Sequence, residues 1–449
     1  MHHPYSRRNF LRSAVSLGTM TAAGGLGRLS LLNAMTQPSG PYRALVCVFL
    51  YGGNDSNNLV VDNSNYTAYK TIRAGLALDN TTLIPFDSNK RFGLHPKFTD
   101  LKPFTNQVAL VANVGTLVQP TTRDQFMKGS VATPSNLFSH QDQQGEWQTG
   151  VAGGMATTGW AGRLADQMGH MNAGTYPLLV SVAGNAIFGI GDTTHPGSVI
   201  PNGPTGLQGI GTDAVSQARL AGLKAIVHQD ALPTNAGALL LYQSAATMNR
   251  ALTNADTLTT AVKGAPALKT VFPTTSIGQQ LAEIAKLIQV RDKLQMSRQI
   301  FFCSLGGFDT HTSQLTAQDN LYGQLSPALA AFYAATEELA VANEVTTFTE
   351  SDFSRTMLPN TNGGTDHAWG SHHVVMGGSV KGATMYGQFP TMQLNGPNDA
   401  GGEGRWIPST SVDQYGATLA QWFGLPASSL ASVFPNIGNF KANDVGFFG

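Results

Sequence analysis

The sequence predicts an α/β fold, a three-layer α/β/α sandwich built on a mainly parallel sheet. Three observations predict it. Continuous apolar runs of strand length recur along the chain, as in strands buried on both faces. Helical periodicities lie between them, and strands alternating with helices give a parallel sheet with helices on both sides. Short loops rich in Asp and His directly follow several of the runs, and ligands of such sheets bind at the carboxyl ends of the strands.

The runs are Arg43 to Tyr51, Val108 to Val114, Leu178 to Val182, Ile300 to Leu305, Val345 to Thr349 and Val374 to Met376. Ile277, Leu281, Ile284 and Ile288 recur at helical spacing, as do Leu325, Leu329, Phe332 and Leu339 in a segment beginning near Asp319. Gln414 to Phe423 reads as a late helix stopped by Gly424 and Pro426. Residues 189–211 are rich in Gly, Pro, Thr and Asn, and 214–248 look helical. The stretch from about 184 to 275 is therefore expected to be an insertion or cap packed over the sheet of a single domain, 35–449.

The chain has 449 residues, with 27 Lys+Arg against 27 Asp+Glu and only 12% charged residues. That balance, with no basic run, excludes a nucleic-acid partner. Ser6-Arg7-Arg8-Asn9-Phe10-Leu11-Arg12, followed by a mildly apolar segment from Ala14 to Ala34, reads as a twin-arginine signal over residues 1–34. The expected partner of that segment is the twin-arginine export machinery, and the expected location is periplasmic or secreted. The segment is too polar for a membrane span, so no transmembrane anchor is expected in the mature form. Cys47 and Cys303 each sit inside an apolar run and are expected to be buried free thiols.

Asp with His is the usual ligand combination for zinc, manganese or iron. Asp309-Thr310-His311 places a carboxylate and an imidazole two residues apart, on one side of an extended segment. Asp366-His367 precedes His372-His373. These last two begin a strand and point to opposite faces, so only one of them can reach a shared site. Asp55 follows Gly52-Gly53-Asn54, as a ligand or as a plain turn cap. Ser139 is a candidate nucleophile or a helix cap, and His140 a candidate base or ligand. Asp352 could bind metal and Arg355 could hold an anion, or the two form an ordinary ion pair. His95 reads as structural.

Taken in order, Gly52-Gly53-Asn54-Asp55, Ser139-His140, Gly306-Gly307-Phe308-Asp309-Thr310-His311, Ser351-Asp352-Phe353-Ser354-Arg355-Thr356 and Gly364-Thr365-Asp366-His367 resemble motifs of one bacterial family. That family is an exported one of unknown function within the alkaline phosphatase and sulfatase superfamily, and the resemblance spans essentially the whole chain. It implies an alkaline phosphatase-like sandwich and a site with one or two divalent ions, zinc or manganese. Carried over, Asp55, Ser139, Asp366 and His367 look like one ligand set, and Asp309, His311 and His373 or His372 like the other. If Asp352 takes that role instead, His367 slides into that of the late histidine, one ligand is missing and the site is mononuclear or degenerate. The implied activity is hydrolysis of a small anionic phosphate or sulfate ester, with Ser139 as nucleophile and Arg355 orienting the anion. The alternative is a non-catalytic exported binding or assembly protein that keeps the fold and a vestigial or single metal.

Overall fold

Arg43–Tyr51 forms the central strand, β1, and its sequence explains why. All seven residues between its ends are apolar and buried, and each large one contributes about 1.5–3 kcal/mol by leaving water. The computed structural model describes residues 40–203, 210–228 and 236–449; the export segment expected over 1–34 lies outside them.

The other strands are β2 (Val60–Asp62), β3 (Ile84–Pro85), β4 (Phe92–Leu94), β5 (Val108–Gly115), β6 (Leu179–Ser181), β7 (Gly197–Ser198), β8 (Arg298–Gly306), β9 (Val345–Ser351), β10 (Ser371–Gly377), β11 (Thr384–Tyr386) and β12 (Thr410–Ser411). The α-helices are α1 (Ser56–Leu59), α2 (Tyr66–Arg73), α3 (Arg123–Lys128), α4 (His140–Thr149), α5 (Trp160–Met168), α6 (Ala214–Val227), α7 (Ala236–Val262), α8 (Ser276–Gln289), α9 (Gln314–Glu338), α10 (Val412–Phe423) and α11 (Leu430–Val433). None of them is long and apolar enough to cross a membrane.

The main sheet runs β11-β5-β10-β9-β1-β8-β6-β7, with β12 also on β5, and β2, β4 and β3 make a small second sheet. β1 pairs in parallel with β8 and β9. Only β10 in the main sheet runs the other way, antiparallel to both β9 and β5. That reversal matters for the site. Segments leaving β1, β8 and β9 and the segment entering β10 all emerge at one rim. α8 packs on α9, which packs on residues 96–107, while α4 packs on α5 and on β9, and α10 packs on β1 and β5, so helices flank the sheet as the expected sandwich requires. Capping residues start these helices: Thr275 for α8, and Ser411 with Gln414 in a capping box for α10. Cys47 and Cys303 are buried and free.

The segment expected to cap the sheet contributes edge strand β7 and a helix pair, α6 and α7, joined through Leu223, Val227, Ala245 and Leu252. Among its attachments, the Lys293 ammonium donates to the carbonyls of Ala261 (2.8 Å) and Lys263 (3.3 Å), Glu338 accepts from the Lys269 and Thr270 nitrogens, and Leu258 and Ala261 join the main core.

One buried acid in the core gives a pH test. Glu350 lies in β9, with Trp160 Nε1 donating to it at 3.2 Å and the Cys47 thiol at 3.8 Å. Burial pushes its carboxyl up from 4.5 to about 8, outweighing those two bonds. The folded state therefore holds this proton more tightly than the unfolded chain. The resulting stabilisation is fully present below pH 4.5 and is lost as pH rises through about 8, with a slope of at most about 1.4 kcal/mol per pH unit. Urea unfolding between pH 5 and 9 should show this decline in the wild type and a flatter one in Glu350→Gln. Buried Asp413, raised to about 7, keeps its own share in both proteins. Equal slopes in the two proteins would remove Glu350 from the account.

Candidate metal centre

Two glycines let the loops close on one another. Gly52 (φ +113) ends β1, and a Cβ there would lie 2.4 Å from the Asp309 nitrogen. Gly364 lies against the chain at His311, where a Cβ would meet a backbone carbon at 2.2 Å. Thr365 N then donates to Thr310 O at 3.1 Å, and residues 354–356 pair with 366–369 beyond the ends of β9 and β10. The loop entering β10 is thereby laid along the loop leaving β8.

Four side chains converge there. His140, Asp309 and His367 have ligand atoms within 4.8 Å of one another. Asp309 Oδ1 lies 3.1 Å from His311 Nε2, 3.4 Å from His140 Nε2 and 3.6 Å from His367 Nε2. His311 Nε2 and His367 Nε2 are 2.9 Å apart. Asp309 is 49% exposed and His311 42%, so the centre opens to solvent.

The other ring nitrogen of each histidine is occupied. His140 Nδ1 meets Asp352 Oδ2 at 2.7 Å, His311 Nδ1 meets Asp366 Oδ1 at 2.9 Å, and His367 Nδ1 donates to the Phe138 carbonyl at 2.7 Å. A carboxylate or carbonyl oxygen only accepts, so each Nδ1 carries a proton and each ring turns its Nε2 inward. His140 Nε2 is buried without a hydrogen-bond partner. Two Nε2 atoms 2.9 Å apart need a cation between them, a shared proton or a metal ion. A tetrahedral divalent ion with bonds of about 2.0–2.1 Å holds its ligand atoms about 3.3 Å apart. His140, Asp309 and His367 supply two imidazole nitrogens and one carboxylate oxygen of such a set, and His311 Nε2 stands beside Asp309 and His367.

Electrostatics agree. Burial would raise the Asp309 carboxyl, but the Arg355 guanidinium, then His140 and His311, hold it below its ordinary value. The bond to Asp352 is the main reason His140 is raised. His367 is lowered, first by burial and then by the charges of His140, Arg355 and His311, against the bond to Phe138. Phe353 stacks on the His367 ring at 4.8 Å.

Of the residues singled out in the sequence, the structure brings together Asp309, His311 and His367, with His140 as a fourth donor. Two carboxylates orient imidazoles rather than facing the centre. Asp352 is buried and accepts from Gly52 N (3.2 Å), Gln144 Nε2 (2.7 Å) and His140. Asp366 accepts from His311 and from Asn360 Nδ2 (3.2 Å). Asp55 lies beneath the loops instead, fully buried, paired with Arg73 and bonded by Gln314 and by Asn57 N.

Neither late histidine reaches the centre. The two do face opposite ways, but both faces of β10 are packed. His372 Nδ1 accepts from Asn113 N at 2.9 Å and its ring stacks on Phe389. His373 sits against Trp147 and Tyr415. Burial drives both to about 3, keeping them neutral. Ser139 caps α4, its Oγ accepting from Asp142 N at 3.5 Å, so the helix-cap reading describes it better than the nucleophile reading. The Arg355 guanidinium is buried and committed to Thr365 O, Gly52 O and Asp309, which leaves no free fork for an anion. His95 is structural, its Nδ1 accepting from Lys97 N. The Phe138 carbonyl could not be read from sequence, because any residue offers one.

No curated protein matches the chain in sequence. Among solved structures it is similar to an alkaline phosphatase superfamily protein from Vibrio parahaemolyticus, at 10% identity over 88% of this chain and 69% of that one, TM-score 0.35. A phosphonate monoester hydrolase of Agrobacterium radiobacter matches at 10% identity over 86% and 74%, TM-score 0.34. A sulfatase from Pseudoalteromonas sp. matches at 11% over 91% and 72%, TM-score 0.34. These likenesses are loose, and nothing about a reaction follows from them. The sequence itself matches a family described as protein of unknown function, DUF1501, over residues 42–399, which is most of the chain, and the chain belongs to that family.

Proposed function

We propose that the protein is a metal-dependent hydrolase of phosphate or sulfate esters, with one divalent ion, zinc or manganese, held by Asp309, His311, His367 and His140. The observation that carries the metal is the 2.9 Å approach of two Nε2 atoms whose rings already carry their protons at Nδ1. Charge supports it as well. Asp309, Asp352 and Asp366 stand around the three imidazoles with one guanidinium, Arg355, on Asp309, and a divalent ion would offset carboxylate charge there. The ester class is supported by the order of motifs along the sequence.

Held by these residues, a divalent ion would supply polarisation of an ester oxygen and activation of water near neutral pH. The chain's own groups do the rest. Asp352, Asp366 and the Phe138 carbonyl hold the three rings with Nε2 inward and strengthen them as donors. Arg355 keeps Asp309 ionised. The exposed side of Asp309 and His311 admits the ester and water. With Ser139 capping a helix, attack by water replaces attack by serine in this reading. Export through the twin-arginine route belongs to the same proposal, supported by the Arg7-Arg8 leader.

The metal is tested first. Purified protein should carry one equivalent of zinc or manganese by elemental analysis. Chelation should lower its melting temperature, since a ligand at a thousand times its Kd adds about 4 kcal/mol of apparent stability. His367→Ala should abolish both effects; a wild type with no metal and no response to chelator overturns the assignment.

The reaction is tested second. Aryl phosphates and aryl sulfates should be hydrolysed by the loaded protein, with kcat/KM down at least about 100-fold in Asp309→Asn, a loss of about 3 kcal/mol in transition-state stabilisation. A loaded protein inert towards both ester classes would favour the binding-protein alternative.

A further inference from the structure

Asp55 and Arg73 place no group in the centre, yet a buried amide links Asp55 to it. Gln314 opens α9 with no solvent exposure. Its Nε2 donates to the Asp55 carboxylate. That carboxylate only accepts, so the amide's orientation is fixed and its carbonyl faces the other way. There Oε1 accepts from the hydroxyls of Thr310, at 3.3 Å, and Thr365. Thr310 stands between Asp309 and His311, and Thr365 is next to Asp366 and two residues before His367. One carbonyl therefore ties the two loops that carry the converging groups.

The amide has a rigid base. Asp55 is paired with Arg73, whose Nη1 also donates to the carbonyls of Thr356 (3.0 Å) and Met357 (3.2 Å). Thr365 is held from its other side by Arg355, whose Nε donates to Oγ1 at 3.2 Å while its Nη1 reaches Asp309. Removing the Gln314 carbonyl would strip two buried hydroxyls of their acceptor and free one loop to slide against the other.

We infer that Gln314 is a positioning residue that sets the spacing of the His311 and His367 nitrogens by bridging Thr310 and Thr365. The inference rests on the metal reading above. Its test is cobalt(II) titration of the metal-free protein, followed by visible absorption, in the wild type, Gln314→Met, Thr365→Val, their double variant and Thr365→Ser. Outer-shell partners of a metal ligand are worth roughly 10–100-fold in affinity. Gln314→Met and Thr365→Val should each weaken cobalt by about that factor and alter the absorption band. Because they break one shared bridge, the double variant should be no weaker than the worse single variant. Thr365→Ser keeps the hydroxyl and should bind like the wild type.

Wild-type affinity in both single variants, or losses that multiply in the double, overturns the inference. A general loss of stability would lower the metal-free melting temperature without changing the absorption band, and that result overturns it too. Should Gln314→Met fail to fold, the contrast of Thr365→Val with Thr365→Ser decides. A wild type that binds no cobalt, zinc or manganese removes the metal reading itself; a wild type that binds while the variants are indifferent removes only the role of Gln314.

Discussion

Two imidazole nitrogens do not come to rest 2.9 Å apart without something positive to share. The local architecture of this rim is arranged around that constraint. Each ring is locked by an acceptor on its far nitrogen, so rotation cannot relieve the contact. The loops carrying the rings are laid side by side at Gly364, where a side chain would collide with the backbone at His311. Asp309 stands beside both nitrogens, and its own charge is held by a buried guanidinium. Within the cluster His140 Nε2 is buried with no hydrogen-bond partner, turned towards Asp309.

Beneath the rim lies a second layer of a different character. Asp55, Arg73, Gln314, Thr365 and Arg355 are all buried, and together they link the loops that follow β1, β8 and β9 to the loop before β10. A buried ion pair such as Asp55 with Arg73 adds little net stability, because desolvation offsets the attraction. Its worth here is geometric. Breaking it strands a charge in the core, so the arrangement is strongly specified even where it is weakly stabilised.

The fold was legible because its signals were strong and repeated. The unbroken apolar row of β1 admits little besides a strand buried on both faces, and Ser411 with Gln414 marks the start of α10 by a pairing that works locally. The site was legible only in outline. Asp309 and His311 converge two residues apart, as the sequence suggested, although the Thr310 nitrogen bonding the Phe308 carbonyl makes the segment a tight turn at Asp309. Sequence showed that His372 and His373 face apart, but not that helix and loop residues fill both sides of β10. Asp55, Asp352 and Asp366 carry the same functional group as Asp309. Which carboxylate meets the centre and which holds a partner is decided by Arg73, Gln144 and Asn360, residues brought near by the fold alone. Gln314 gave no signal at all, since a glutamine at the start of a helix is commonplace.

The place of β1 in the sheet has a bearing on how the chain comes to be made. Its two partners are numbered 298–306 and 345–351, so the most apolar strand emerges from the ribosome long before either neighbour exists. At about 5–20 residues per second, that interval is on the order of tens of seconds. Throughout it, the central strand of the sheet waits with both edges unpaired, and the core can close only when the last third of the chain has been made.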